Sequence, residues 1–277
     1  MSPKKSTDAK LKQLGKSIFD RLEGGHNPYA LILGAGASVS SKCPTWPELC
    51  KAYCEEYSIT VSGSEYISAF KNHLKGQEKN KIDVFLAFSK KLQNIEPSLG
   101  YLHLANLISK KAFRTVITTN FDNLLEQALA KLISTDDVKV LIRGEVTDDY
   151  IADFIEKGIP KIKIIKLHGD LQSNIFYFQD EDLKALPEAL KRALQRVIQA
   201  GSVVIGSEVD DPDLMNLYSS EAGHNIFVNP AQPQTHIRAL LSLKDNQILS
   251  STLGEFDAFS TEQHVMENGV KNKIADV

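Results

Sequence analysis

Cysteine is scarce. The chain has three, Cys43, Cys50 and Cys54. Cys50 and Cys54 lie one helical turn apart, but no second pair follows, and His73 and His103 are far along the chain. A disulfide scaffold and a four-ligand zinc site are both disfavoured. The thiols read as buried small hydrophobes of a chain kept in a reducing cytoplasm. Long apolar runs are missing too. None approaches the roughly 20 residues of a membrane-spanning helix. The stretch Met1 to Lys16 is polar and lysine-rich, with no apolar segment of the kind a secretory signal carries. Neither charge sign is in excess: the formal net charge is -3. No global pull toward nucleic acid or an anionic membrane follows. Lys71, Lys75, Lys79 and Lys81 have no interleaved aromatics, so they read as a solvated face and no direct nucleic-acid binding is expected. Internal repeats and low-complexity tracts are absent.

What remains is ordinary globular sequence, 277 residues at 42% hydrophobic and 24% charged. That length suits one α/β domain with an insertion. Tyr29 to Leu33 is a short apolar run stopped by Gly34, after which small residues fill Ala35 to Ser38. This pattern takes a buried strand into a tight turn and a helix start. Two glycines there let the backbone approach a ligand, and the helix amides can donate to a phosphate. Val39 stands where the full dinucleotide fingerprint wants a third glycine. Further strands are expected at Phe113 to Thr119, Lys139 to Ile142, Lys161 to Leu167, Ser202 to Ser207 and Asn225 to Pro230. Helices are expected at Lys10 to Glu23, Pro47 to Tyr57, Tyr66 to Leu74, Ile82 to Leu92, Ser98 to Lys110, Asn123 to Leu132, Asp148 to Glu156, Asp180 or Pro187 to Gln199, Asp211 to about Ser220, and Thr235 to Leu243. Alternating strands and helices argue a Rossmann-like, mostly parallel sheet with helices on both faces. The expected layout is a core of residues 29–43 and 98–243, an inserted mainly helical module at 44–97, and a polar C-terminal extension at 244–277.

Ligands of such sheets sit beyond the carboxyl ends of the strands, so the residues there matter most. They are Gly34 to Ser38, Thr118 to Asp122, Leu167 to Asp170, Gly206-Ser207 and Val228 to Pro230. His168 is the titratable base among them and suits proton transfer near neutral pH. Asn120 can hold a water or a ribose hydroxyl. Asp122 can cap the following helix, line a site, or do both. Ser207 and Asn229 are candidates for adenosine contacts, or turn residues. Thr118 is a strand former as well as a site candidate. Trp46 is read as an anchor of the module on the core, with stacking on a base as the other possibility.

The motifs Gly34-Ala35-Gly36-Ala37-Ser38, Thr118-Thr119-Asn120-Phe121-Asp122 and Lys166-Leu167-His168-Gly169 together resemble the sirtuin-like superfamily. The resemblance is closer to its bacterial NAD-hydrolysing branch than to the protein deacylases. Three departures from the deacylases carry that distinction. Lys42 to Leu49 replaces their Gly-Ile-Pro-x-Phe-Arg stretch, Thr119 replaces their Gln, and the four-cysteine zinc ribbon is missing. Gly206-Ser207-Glu208-Val209 also departs from the usual Gly-[ST]-Ser-Leu. The resemblance implies NAD⁺ as substrate and no metal. Asn120 and His168 would be catalytic, and Gly34, Ala35, Gly36, Ser38, Thr118, Asp122, Ser207 and Asn229 would bind NAD⁺. It further implies a gated NAD⁺ glycohydrolase of bacterial antiphage defence. Such proteins act as homo-oligomers or with a partner, for example a DNA-translocating ATPase, an Argonaute-type protein or a sensor. NAD-dependent deacylation, ADP-ribosyl transfer and non-catalytic NAD or ADP-ribose sensing are the alternatives.

Overall fold

A computed structural model describes residues 3–75, 81–157, 162–177, 186–207, 209, 211–218, 224–229 and 247–249. The chain runs α1 (Pro3–Glu23), β1 (Tyr29–Leu33), α2 (Ala35–Ser38), α3 (Trp46–Glu56), α4 (Tyr66–Leu74), α5 (Lys81–Leu92), α6 (Leu99–Ser109) and β2 (Phe113–Thr118). Then come α7 (Leu124–Ala130), β3 (Val138–Ile142), α8 (Asp148–Lys157), β4 (Ile162–Lys166), and a small hairpin of β5 (Gly169–Asp170) and β6 (Ile175–Phe176). The last elements are α9 (Glu188–Gln199), β7 (Ser202–Ile205), α10 (Pro212–Met215), β8 (Asn225–Val228) and β9 (Gln247–Leu249).

Seven strands form one sheet in the order β3-β4-β2-β1-β7-β8-β9, and every pairing in it is parallel. Strands buried on both faces should be continuously apolar, and β1, β4, β7 and β8 are buried at every position. Alternate residues feed opposite faces. Leu31, Leu33, Val116, Ile164, Val203 and Ile205 enter the core packed by α1 and α3 to α7. Ala30, Ile32, Ile117, Ile165 and Val204 enter the core packed by α8, α9 and α10. The doubly wound, Rossmann-like class expected from the alternation is therefore the observed fold. The chain leaves β1 toward β2 on one side, and β7 flanks β1 on the other. The order reverses there, which places a crevice beyond the tips of β1 and β7.

Between β1 and β2 the described residues form helices joined by turns and loops, with no strand. Thr45 caps the start of α3, its N–H and hydroxyl both donating to Glu48 Oε2 at 2.7 and 2.8 Å. Trp46 packs edge-on against Phe70 and Phe88 and tilts toward Phe121, with ring centroids 5.4, 5.9 and 6.3 Å away. It thus joins α4 and α5 to the loop after β2. Helices α3 to α5 share the same hydrophobic cluster as that face of the sheet.

Three features depart from the sequence reading. The helix after the glycine turn is a single turn, followed by a 3-10 turn at Val39–Ser41. The helix opened by Asp211 ends at Met215. The hairpin β5–β6 and the strand β9 were not expected; they are two or three residues long, too short to show a period, and pairing partners define them. The expected helix at Thr235 to Leu243, the first turns of the one from Asp180, and most of the polar C-terminal end lie outside the described residues.

The glycines at the crevice have a steric cause the sequence reading did not foresee. A Cβ on Gly34 would sit 2.6 Å from the Gly206 carbonyl oxygen, and one on Gly36 2.8 Å from it. Gly206 has φ 65°, and a Cβ there would lie 2.1 Å from the Ala37 nitrogen. The tips of β1 and β7 are in backbone contact, sealed by Gly36 N–H donating to Gly206 O at 2.9 Å. Gly206→Ala should lower stability by about 2 kcal/mol or more, because it adds a clash to an unfavourable φ. Urea unfolding against wild type measures this.

Candidate functional site

A cavity of about 740 Å³ opens at this crevice. Its walls include Gly34, Ala35 and Ser38 from the turn after β1, Thr119 to Asp122 from the tip of β2, and His168 from the tip of β4. Gly206, Ser207, Asp211 and Pro212 come from the loop after β7, and Cys43 to Pro47, Ile67 and Lys71 from the helical segment. The volume lies in the range of small-molecule and cofactor sites.

The amide of Asn120 is fixed from behind. Its Nδ2 donates to the Gly34 carbonyl at 3.1 Å and to Ser38 Oγ at 3.2 Å. Its backbone N–H donates to Thr118 Oγ1. With both amide donors used, buried Oδ1 is an acceptor with no partner among the described residues. Ser38 is saturated: it donates to Asp122 Oδ2 at 2.8 Å and accepts from Asn120. The 2.8 Å contact with Tyr101 must therefore run from phenol to Ser38. Burial, then the charge of Asp122, pushes Tyr101 well above the ordinary phenol range, so it stays a donor. Asp122 has both roles open to it in the sequence. Its Oδ1 accepts from Leu124 N–H at the start of α7, while Oδ2 faces the cavity network. Cys43 Sγ lies 3.9 Å from that oxygen. Burial and the Asp122 carboxylate push its thiol up to about 12, which removes it as a nucleophile at neutral pH.

Beneath this network lies Lys166, a fully buried cation on β4. Its Nζ donates to the Asp122 carbonyl at 2.6 Å, pairs with Glu126 at 3.2 Å, and contacts Asp170. Burial would lower its pKa, but Glu126 and Asp170 outweigh burial and raise it, so the charge persists. The tips of β2 and β4 are thereby pinned together.

His168 faces a second charged group. Its Nε2 lies 3.1 Å from Asp211 Oδ2 and 3.9 Å from Asp213 Oδ2, close but not aligned as a hydrogen bond. Asp211 Oδ1 caps α10, accepting from Asp213 N–H and Leu214 N–H. Asp213 is buried and pairs with Arg143 at 2.9 Å, which also reaches Asp148 at 3.4 Å. The ligand atoms of His168, Asp211 and Asp213 all lie within 4.8 Å of one another, a spacing that could hold a metal ion. The Arg143 guanidinium already places a positive charge in that cluster. Gly206 has φ 65° and Val209 φ 53°; a β-branched residue at that angle is strained.

Of the residues singled out in the sequence, Gly34, Ala35, Ser38, Asn120, Asp122, His168 and Ser207 therefore share one cavity. Gly36 lies behind the turn against Gly206. Thr118 is buried, its hydroxyl donating to the Leu33 carbonyl across the strands. Asn229 is buried at the tip of β8, outside the cavity wall. Trp46 both anchors the helices and lines the cavity. Lys71, read as part of a solvated face, also lines it. Asp211, Asp213, Arg143, Lys166 and Tyr101 were not foreseen. The doublet Asp211-Pro212-Asp213 carried a signal, two carboxylates just beyond a strand tip, but read as a helix start.

Residues 114–248 match the SIR2-like domain. That segment contains Asn120, His168, the Gly206 loop and the Asp211-Pro212-Asp213 stretch; β1 and its glycine turn precede it. A search of curated proteins gave no significant match. Among solved structures, one reported for the mechanism and regulation of Sir2 enzymes is 18% identical, with a TM-score of 0.54 over 94% of this chain and 98% of that one. A Sir2 homologue in complex with NAD is 17% identical, with a TM-score of 0.51 over 86% and 90%. At these identities the likeness shows the sirtuin fold.

Two outcomes test this description. Asp213→Ala leaves the buried Arg143 with Asp148 alone and should cost about 3 kcal/mol, read by chemical unfolding. Burial pushes the Asp211 carboxyl up, but the His168 imidazole and the Leu214 and Asp213 amides outweigh it and hold it below its ordinary value. A depressed carboxyl stabilises the fold above the unfolded-state pKa and loses that contribution as pH falls through the folded one. The stability gap between wild type and Asp211→Asn should thus stay constant above about pH 5 and shrink below about pH 4.

Proposed function

We propose that the chain binds NAD⁺ in this cavity and hydrolyses it to nicotinamide and ADP-ribose. One observation carries the reading: an imidazole and an oriented carboxamide, from the tips of two different strands, face the same cavity beside a glycine turn. The bond broken joins ribose C1′ to the pyridinium nitrogen. Its electron pair leaves with nicotinamide, which departs neutral, so no acid is required. Water supplies the oxygen bonded to C1′, and its proton must be removed. His168 takes that proton, directly or through a ribose hydroxyl. Asn120, held by Gly34 and Ser38, accepts through Oδ1 from the attacking water or a ribose hydroxyl and so restricts its approach. The single turn α2 is too short for a strong helix dipole, and its Gly36 and Ala37 amides are taken by the Gly206 and Gly34 carbonyls; we assign the pyrophosphate to the rim of the turn at Ala35 and Ser38. The adenosine side falls to Ser207, with Asn229 behind it. No metal has a role in this reaction.

Hydrolysis is preferred over deacylation because Thr119 stands in the cavity wall where deacylases carry Gln. The biological reading follows from the resemblance to the NAD-hydrolysing branch. We place the chain as a gated effector of bacterial antiphage defence, in the cytoplasm, active as a homo-oligomer or with a partner protein. Unchecked NAD⁺ hydrolysis would exhaust its own cell, so the activity needs a trigger. Among the described residues no helix is long and apolar enough to cross a membrane.

The purified chain, alone and with the protein encoded beside it, should release nicotinamide and ADP-ribose from NAD⁺, followed by chromatography. Asn120→Ala and His168→Ala should each lower the rate by at least about 100-fold with the fold retained, read by circular dichroism. Full turnover by either variant rejects its assignment. O-acetyl-ADP-ribose formed from an acetylated peptide would instead mark a deacylase, and tight NAD⁺ binding without turnover under every partner condition a sensor.

A further inference from the structure

We infer that Asp211 is the positioning residue of His168, fixing which ring nitrogen carries the proton. The inference rests on the hydrolytic reading above and adds a residue to it. Four observations lead here. Asp211 Oδ2 is 3.1 Å from His168 Nε2, against 3.9 Å for Asp213 Oδ2. The Asp211 side chain is itself immobilised, because Oδ1 accepts from two backbone N–H groups at the start of α10. The neighbouring Asp213 is neutralised by Arg143 at 2.9 Å, so Asp211 supplies the negative charge at the imidazole. Finally, both His168 and Asp211 line the cavity.

A carboxylate beside Nε2 favours the tautomer protonated there and leaves the Nδ1 lone pair to act as base. When Nδ1 takes the proton from water, Nε2 keeps its own. The resulting imidazolium is then stabilised by the Asp211 charge, which itself stays ionised. This is the logic of an oriented His in a nucleophilic triad, applied here to a water. An off-axis contact of this length is the kind that tightens in a substrate complex.

Asp211 has a second duty as a helix cap, and the test must separate the two. Asparagine caps as well as aspartate. Asp211→Asn therefore preserves the cap and removes the charge, whereas Asp211→Ala removes both. A positioning role predicts that Asp211→Asn lowers kcat for nicotinamide release about 100- to 10,000-fold. KM for NAD⁺ should stay within about threefold, with the fold retained by circular dichroism. A capping role alone predicts the reverse, with Asp211→Asn silent and only Asp211→Ala impaired, and that result overturns the inference. Should the wild type release no nicotinamide at all, the hydrolytic reading fails separately. The inference then stands or falls on imidazole ¹⁵N signals at mildly alkaline pH, identified by their loss in His168→Ala. Wild type should show the Nε2-protonated tautomer, and Asp211→Asn a changed tautomer balance. An unchanged balance rejects it.

Discussion

Everything at the carboxyl edge of this sheet depends on how closely two backbones approach. The turn after β1 and the turn after β7 touch through Gly34, Gly36 and Gly206, with separations that leave no room for a Cβ. This contact is where the sheet's order reverses, and closing it tightly fixes the floor of the crevice. With a side chain at any of these positions the turns would separate, and Ser38 and Ser207 would no longer border the same cavity. The glycines are thus first a packing requirement. The small wall they leave for a ligand is a consequence of that packing.

From this floor two polar assemblies rise, one on each side of the cavity. On one side Tyr101, Ser38, Asn120 and Asp122 exchange hydrogen bonds in a single consistent direction, with each donor and acceptor of Ser38 used. Lys166 fixes the assembly from below through the Asp122 carbonyl. On the other side Arg143 pairs with Asp213, and the adjacent Asp211 faces His168. Buried networks of this kind are costly when incomplete and rigid when complete. Among the described residues the unsatisfied atom of the first network is Asn120 Oδ1, while the second leaves His168 Nε2, Asp213 Oδ1 and Asp148 Oδ1 without an aligned hydrogen bond. Asn120 and His168 are the two of these residues assigned to the substrate.

The sheet was legible because its strands are buried on both faces and so are continuous apolar runs, as at Tyr29 to Leu33 and Lys161 to Leu167. Glycine and proline punctuation then set most helix limits. Residues at strand tips could be gathered by topology alone, which is how Asn120 and His168 came to be considered together. What could not be read was any relation made by side chains across the sheet. Lys166 looks like the polar end of an apolar strand; that it is buried beneath Asp122 follows from the parallel register Thr118↔Lys166, which no local pattern encodes. Arg143 and Asp213 are 70 residues apart and meet only because β3 and β7 stand in the same sheet. Lys71 belongs to a run that looks solvated, yet its helix turns it to the cavity. The short β5–β6 hairpin and β9 exist through their partners and have too few residues to announce themselves.

The charge distribution bears on why this wall suits the proposed reaction. Bound NAD⁺ carries positive charge on the pyridinium ring. As the glycosidic bond breaks, that charge passes to the ribose as an oxocarbenium-like centre. Catalysis requires groups whose attraction grows along that path and which do not reorganise during it. Asp122 and Asp211 are carboxylates in the cavity wall, each anchored through its other oxygen to the amino end of a helix. Their orientation is therefore set before substrate arrives. Lys166 or Arg143, if exposed beside these two carboxylates, would oppose the same charge. Both are instead drawn behind the surface by Glu126, Asp170 and Asp213, where their charge supports the loops without facing the sugar.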